Sequence, residues 1–198
     1  MNQFVNRLMK LSNLVLYLSM IILLIRCGST HGINSTADTE TNNIDLLIQE
    51  KKFMIISDWA SPLATTSFNA IANSGLIPLG SNVNRINLIG NPNYLKVIGD
   101  SISLYLPYYG EQRFGIGYNN SDTGIKYDGI PDMYEVKKDK KGRQRITLNF
   151  KNKTESCRVL IVLFESGRSD MTINTSHRTQ IGYTGTISKL EENSVATN

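Results

Sequence analysis

"RQRITLNF", residues 143–150, alternates. Ile146, Leu148 and Phe150 fall to one side, Arg145, Thr147 and Asn149 to the other. Successive side chains of a strand point to opposite faces, so this pattern belongs to a strand with one face buried. "CRVLIVLF", 157–164, is apolar on both faces apart from Arg158. That is what a central strand looks like, not an edge. Upstream, "MYEV" (133–136) is separated from 143–150 by "KKDKKG", which predicts a hairpin with a charged tip. Downstream, "MTIN" (171–174) and "QIGYTGTI" (180–187) extend the series.

The same rhythm holds closer to the start. "YLKV" and "ISLYL" flank "IGDS" (98–101), a predicted hairpin turn, and "FMIISDW" puts Phe53, Ile55 and Trp59 on one face. Residues 61–84 break the rhythm and read as a long loop with a helical turn at most. Short strands at steady spacing, punctuated by Gly, Asn and Asp, predict an all-β domain. The expected form is an antiparallel meander closing into a sandwich or a partly open barrel. A short helix is expected just before it: in "NIDLLIQEKKF", Ile44, Leu47 and Ile48 fall at i, i+3 and i+4, and Asn43 can cap.

The N-terminus is of a different kind. Arg7 and Lys10 precede a mostly apolar run from Leu11 to Ile25. A helix needs about 20 apolar residues to cross a bilayer, and this run is shorter. A basic start followed by an apolar run of about 7–15 residues describes an export signal. Leu24-Ile25-Arg26-Cys27-Gly28 resembles a bacterial lipobox, with Arg26 standing where that pattern has Gly, Ala or Ser. The resemblance implies that the Cys27 sulfur carries diacylglycerol and becomes the mature N-terminus; plain secretion and an uncleaved anchor are the alternatives. The expected division is a signal at 1–26, a polar flexible tether at 27–43, one β-rich domain at 44–190 and a disordered tail at 191–198.

Charge excludes one class of partner. The chain carries 21 Lys+Arg, 17 Asp+Glu and a net charge of +4. Arg7, Lys10 and Arg26 lie in the signal, which has no acid, so the remainder is nearly neutral and no nucleic-acid partner is expected. "KKDKKGRQR" reads as a solvated hairpin tip that discourages edge pairing.

"NPNYLKVIGDSISLYLPYYG", "GIKYDGIPDMYEVKKDKKGRQRITLNF" and "INTSHRTQIGYTGTI" together resemble a family of Bacteroidota lipoproteins catalogued as domain of unknown function 4251. The likeness covers about residues 44–187. Its most specific pieces are Asn93-Tyr94-Leu95, Leu106-Pro107-Tyr108-Tyr109-Gly110 and the ending Arg178 to Gly185. The loop before Arg85 is longer than the family usually has. The resemblance implies an exported β-rich domain and carries no catalytic residue.

Few residues suit chemistry. With two histidines, His31 in the tether and His177 in a predicted turn, a multi-His zinc site is excluded by count. No G-x-S-x-G elbow occurs, and "GIGYNN" (115–120) lacks the third glycine and βαβ setting of a nucleotide loop. Asp122, Asp128 and Asp132 lack the spacing of a calcium loop. Cys157 opens a central strand and reads as a buried small hydrophobe. No metal or other cofactor is expected. Seven of the nine tyrosines lie between residues 94 and 134. Tyr combines a large apolar face with a hydroxyl, which suits recognition, although alternate tyrosines filling a core would give the same count. The candidate binding surface is Tyr105, Tyr108, Tyr109 and Tyr118. The expectation is a non-enzymatic, lipid-anchored envelope domain with an unknown ligand or envelope partner, on the outer membrane facing the periplasm. A structural subunit of an envelope complex and, third, a glycan hydrolase are the rivals.

Overall fold

A computed structural model of the chain describes residues 44–114 and 124–190. The helix α1 covers 44–50. It is followed by strand β1 (Lys52–Pro62), helix α2 (Thr66–Asn73) and strands β2 (Ile86–Asn87), β3 (Tyr94–Ile98), β4 (Ser101–Leu106) and β5 (Ile125–Gly129). Then come β6 (Met133–Lys138), β7 (Gln144–Asn152), β8 (Glu155–Leu163), β9 (Arg168–Thr175) and β10 (Ile181–Lys189). All strands join one antiparallel sheet in the order β5-β4-β3-β1-β10-β9-β8-β7-β6, with β2 also paired to β1. Two meanders, β3–β5 and β6–β10, are thus stitched together by β1.

The sheet curls into a half-barrel, the open-barrel form of the expected fold. Connectivity requires the curl. β5 and β6 are the two edges, yet only residues 130–132 join them. At about 3.5 Å per residue, so short a link cannot span a flat nine-strand width. Where the edges converge, Tyr127 on β5 stacks on Phe150 on β7 with centroids 4.2 Å apart, and Asn152 Nδ2 donates to the Lys126 carbonyl at 2.7 Å. The inner face is filled by Phe53, Ile55, Leu95, Val97, Ile146, Leu148, Ile161 and Tyr183, all buried. The period-2 pattern of 143–150 is observed as expected, with Ile146, Leu148 and Phe150 inside. β8 lies between β7 and β9, as its apolar sequence requires.

Helix α1 covers the core with Ile44, Leu47 and Ile48. It is fastened to the β6–β7 hairpin by Asp45, which accepts from Lys138 Nζ and Gln144 Nε2, each at 2.8 Å. Its expected cap, Asn43, lies outside the described residues. The segment read as a long loop contains two helical turns, α2, with Thr65 Oγ1 accepting from Phe68 N at 3.2 Å and Phe68 buried.

One strand departs from its expected register. Trp59 does not share a face with Phe53 and Ile55, because β1 carries a bulge between Ser57 and Trp59. The extra residue moves Ala60 and Pro62 inward, and Trp59 outward beneath the Arg85 guanidinium, 4.0 Å from the ring centroid. Asn93 makes the bulge possible. Its Oδ1 accepts from Ser57 N at 2.7 Å and its Nδ2 donates to Ser57 O at 2.9 Å, while Leu88 N donates to Asp58 O at 2.8 Å. Backbone groups that the bulge removes from the ladder are thereby satisfied.

Candidate functional site

The β3–β4 hairpin turns on Gly99 and Asp100, with Ile98 opposite Ser101. A two-residue turn fixes the register of everything behind it. Tyr94 therefore faces Tyr105 across the strands, and Tyr105 faces Lys126 on β5. In the next outward row, Lys96 faces Ser103 and Ser103 faces Asp128. The Cβ atoms of directly opposed residues stand about 5 Å apart, so both phenols rise from neighbouring positions on the outer face of the half-barrel. Tyr94, Ser103, Tyr105, Lys126, Asp128 and Asn152 line an open groove of about 570 Å³ there. This lies within the range of roughly 300–1,000 Å³ usual for small-molecule sites. The Lys96 ammonium sits 4.8 Å from the Tyr94 centroid and that of Lys126 5.0 Å from the Tyr105 centroid.

The four tyrosines expected to form one surface do not share a setting. Tyr105 is in this groove. Tyr108, two residues past the end of β4, is buried. Its hydroxyl lies 2.8 Å from Thr179 Oγ1 and 3.0 Å from each of the Glu111 and Thr179 carbonyl oxygens, donating to one at a time. The Arg178 guanidinium lies 5.2 Å from the Tyr108 centroid, and Arg178 Nε pairs with Glu155 Oε1 at 3.2 Å. Burial pushes the Tyr108 phenol above its ordinary pKa. Tyr109 is half-buried against the core, close enough to Tyr105 to be raised by it, after burial. Tyr118 lies outside the described residues, as do Cys27, His31 and Asp122.

The Leu106–Gly110 block is thus a structural clasp. Tyr183 Oη donates to the Pro107 carbonyl at 2.8 Å, and Thr179 N donates to Glu111 O at 3.0 Å. A Cβ on Gly110 would stand 2.6 Å from the Tyr108 hydroxyl oxygen and 2.7 Å from Thr179 Oγ1, so the glycine leaves room for that knot.

The candidate surface omitted every groove residue but Tyr105: Tyr94, Ser103, Leu104, Lys126, Tyr127, Asp128 and Asn152. A signal for the first existed. Counting outward from the turn pairs Tyr94 with Tyr105. Nothing local marks Asn152, which arrives only because the sheet curls.

Other reactive groups lie elsewhere. Cys157 is buried, and burial, with Glu155 adding to it, pushes its thiol up to about 12. His177 sits in the β9–β10 turn, its Nδ1 2.7 Å from Ser176 Oγ and its ring edge-on to Phe114. Among the described residues no three His, Cys, Asp or Glu side chains cluster as metal ligands, and no helix is long and apolar enough to cross a membrane. The positive hairpin tip is internally paired. Asp139 accepts from Lys141 N, Arg143 N and Arg143 Nε, and the Arg143 guanidinium beside it pulls its carboxyl down to about 2.

A family model described as "Domain of unknown function (DUF4251)" matches residues 35–187. Among solved structures, the crystal structure of a DUF4251 family protein from Bacteroides eggerthii is similar at 11% identity, covering 76% of this chain and 88% of that one, with a TM-score of 0.50. That likeness is one of fold. No curated protein matches.

Proposed function

Because the chain belongs to the family described as "Domain of unknown function (DUF4251)", whose description names no activity, we propose a function from the groove itself: a non-enzymatic binding domain, moored to the cell envelope by lipid on Cys27. The observation that carries the binding reading is the Tyr94–Tyr105 pair, two phenols at opposed positions of neighbouring strands that both line one open groove. Such rings offer apolar contact area and hydroxyls without needing to be ordered on binding.

Catalysis has little support in that setting. The groove is lined by a single carboxylate, Asp128, whereas glycoside hydrolysis ordinarily uses a pair. Cys157 faces the core as a neutral thiol. The envelope location rests on the basic start, the apolar run to Ile25 and Cys27 itself. Two or more acyl chains, at about 0.8 kcal/mol per buried methylene, hold a domain at a membrane without a spanning helix. The outer membrane, periplasmic side, is the proposed address.

One observation favours a second reading, a partner-holding subunit of an envelope complex. Leu63, Ile71, Leu76, Leu79 and Ile89 are all exposed, Leu79 at 96% and Leu76 at 78%. All five lie in the segment between β1 and β3, and exposed apolar groups in number mark interaction surfaces.

Two measurements test the proposal. Mass spectrometry of the membrane-fraction protein should find Cys27 diacylated at the mature N-terminus, and Cys27→Ser protein should be soluble. Native protein that is soluble and unmodified there would remove the anchor. Purified domain should sediment with envelope fragments, and the Tyr94→Ala/Tyr105→Ala double variant should not. Equal sedimentation of both would remove the groove.

A further inference from the structure

We propose that β6 is a docking edge for a second copy of this chain: two β6 strands pair antiparallel about a twofold axis at Val136 and join two half-barrels edge to edge. The two edges of the sheet are not equivalent. β5 is engaged from its open side, since the Lys126 carbonyl accepts from Asn152 Nδ2 at 2.7 Å and Tyr127 stacks on Phe150. β6 is paired to β7 alone, and among the described residues no other hydrogen bond reaches the backbone of Met133–Lys138. An edge strand in this state presents a row of free N–H and C=O groups, a template for another strand. Val136 lies opposite the fully buried Ile146, yet is itself 37% exposed, because β6 is the last strand of the sheet.

β6 is complementary to its own reverse. Directly opposed residues of an antiparallel pair play the same hydrogen-bonding role, so a strand that pairs with its copy turns about a residue. Turning about Glu135 sets carboxylate against carboxylate, and turning about Lys137 sets ammonium against ammonium; turning about Tyr134 pairs only three residues. Turning about Val136 sets Val136 against itself, Tyr134 against Lys138 of the partner subunit, and Glu135 against Lys137 of the partner subunit, twice over. Opposite charges directly opposed stabilise a strand pair and like charges destabilise it. Charge thus selects the register, and the strand that complements β6 is β6. Edge lysines ordinarily deter such pairing. Here Lys137 Nζ lies 2.7 Å from Glu135 Oε1 and Lys138 Nζ 2.8 Å from Asp45 Oδ2, while Arg145, opposite Lys137 on β7, lies 3.5 Å from Asp139 Oδ2. Each cation brings its own counter-charge, so two copies meet as a row of alternating signs and not as two positive edges. A five-residue pairing makes a small interface of the weak class, read best at high protein concentration.

The test is sedimentation equilibrium of the Cys27→Ser protein over a concentration series, with disulfide trapping beside it. A monomer–dimer equilibrium is expected. Glu135→Lys should weaken it about tenfold or more with the melting temperature retained, because two attractive pairs become two repulsive ones, and Lys137→Glu should do the same. The double reversal Glu135→Lys/Lys137→Glu makes the opposed pairs attractive again and should restore the dimer. Added to Cys27→Ser, Val136→Cys should be trapped as a dimer on mild oxidation, since directly opposed Cα atoms about 4.5–5.5 Å apart suit a disulfide. Arg158→Cys, on the outer face of the central strand β8, should stay monomeric under the same treatment. A monomer at every concentration, a dimer indifferent to both single reversals, or a loss that the double reversal does not rescue overturns the proposal. A dimer that ignores the β6 charges and dissociates on Leu76→Asp/Leu79→Asp overturns it in favour of the apolar segment between β1 and β3.

Discussion

Gly185 of β10 is pressed against the backbone of Ser57 in β1: a Cβ built on the glycine would overlap the Ile56 carbonyl oxygen and stand 2.6 Å from Ser57 Cα. Backbone, unlike a flexible side-chain end, cannot swing aside. Gly185→Ala should therefore separate the two strands that join the two meanders. Overpacking typically costs about 1–3 kcal/mol; a clash with backbone belongs at the upper end, and at roughly 2–4 °C per kcal/mol the melting temperature should fall by about 6–12 °C. Thermal unfolding followed by circular dichroism measures it.

Asn93 supports the same bulge from the other side, occupying both backbone groups of Ser57. Asn93→Ala leaves a buried N–H and a buried carbonyl unpaired, each at on the order of 1–3 kcal/mol. Urea titration should show a lower midpoint with an unchanged slope, because the bulge loosens while the surface exposed on unfolding stays the same.

The tyrosines separate into two classes by stability. Tyr108→Phe deletes a hydroxyl bonded to Thr179 and leaves buried oxygens behind, so it should cost about 1–3 kcal/mol. Tyr94→Ala and Tyr105→Ala on the outer face should each cost about 1 kcal/mol or less. Melting curves of the three variants give the order.

The β6–β7 hairpin should loosen in acid. Asp139 has its pKa lowered in the fold to about 2, chiefly by its bond to Arg143. A group whose folded pKa is depressed stabilises above its unfolded value, and that contribution is lost as pH falls from about 4 towards 2. Protection of the amides at 138–144, taken relative to the intrinsic exchange rate at each pH, should fall across that window, and in Asp139→Asn it should be low throughout and unchanged by pH.

Cys157 should be inert in the folded protein. With its thiol pushed up to about 12 by burial, almost no thiolate exists at pH 8, and the thiolate is the nucleophile. In Cys27→Ser protein, reaction with a disulfide reagent should await unfolding and keep pace with it. Fast labelling of native protein would show that the strand opens locally.

Much of the fold could be read from alternation alone. The strand at 144–152, the central strand at 155–163 and the hairpin at Gly99–Asp100 each follow from local pattern, and α1 from its i, i+3, i+4 spacing. The bulge at Ser57 could not be read this way. It depends on Asn93, distant in sequence, and on Gly185, whose missing side chain leaves no mark in hydrophobic periodicity. Trp59 consequently faces the opposite side from the one that simple alternation predicts. That the meander closes into a sandwich or a partly open barrel was legible as a class; which of the two it forms was not, since that follows from which strands are edges, and only then does the three-residue link at 130–132 become decisive. Tyrosine-richness pointed to the part of the chain that lines the groove. It could not separate Tyr105, whose register turns it outward, from Tyr108, which the chain turns inward onto Thr179 just after β4 ends.

The most direct measurement of the central claim is an amide-exchange footprint of the domain with and without envelope fragments. Slowed exchange confined to 94–105 and 125–129 is the predicted result. Slowed exchange across the apolar segment 63–89 instead, with the groove strands unchanged, would contradict it.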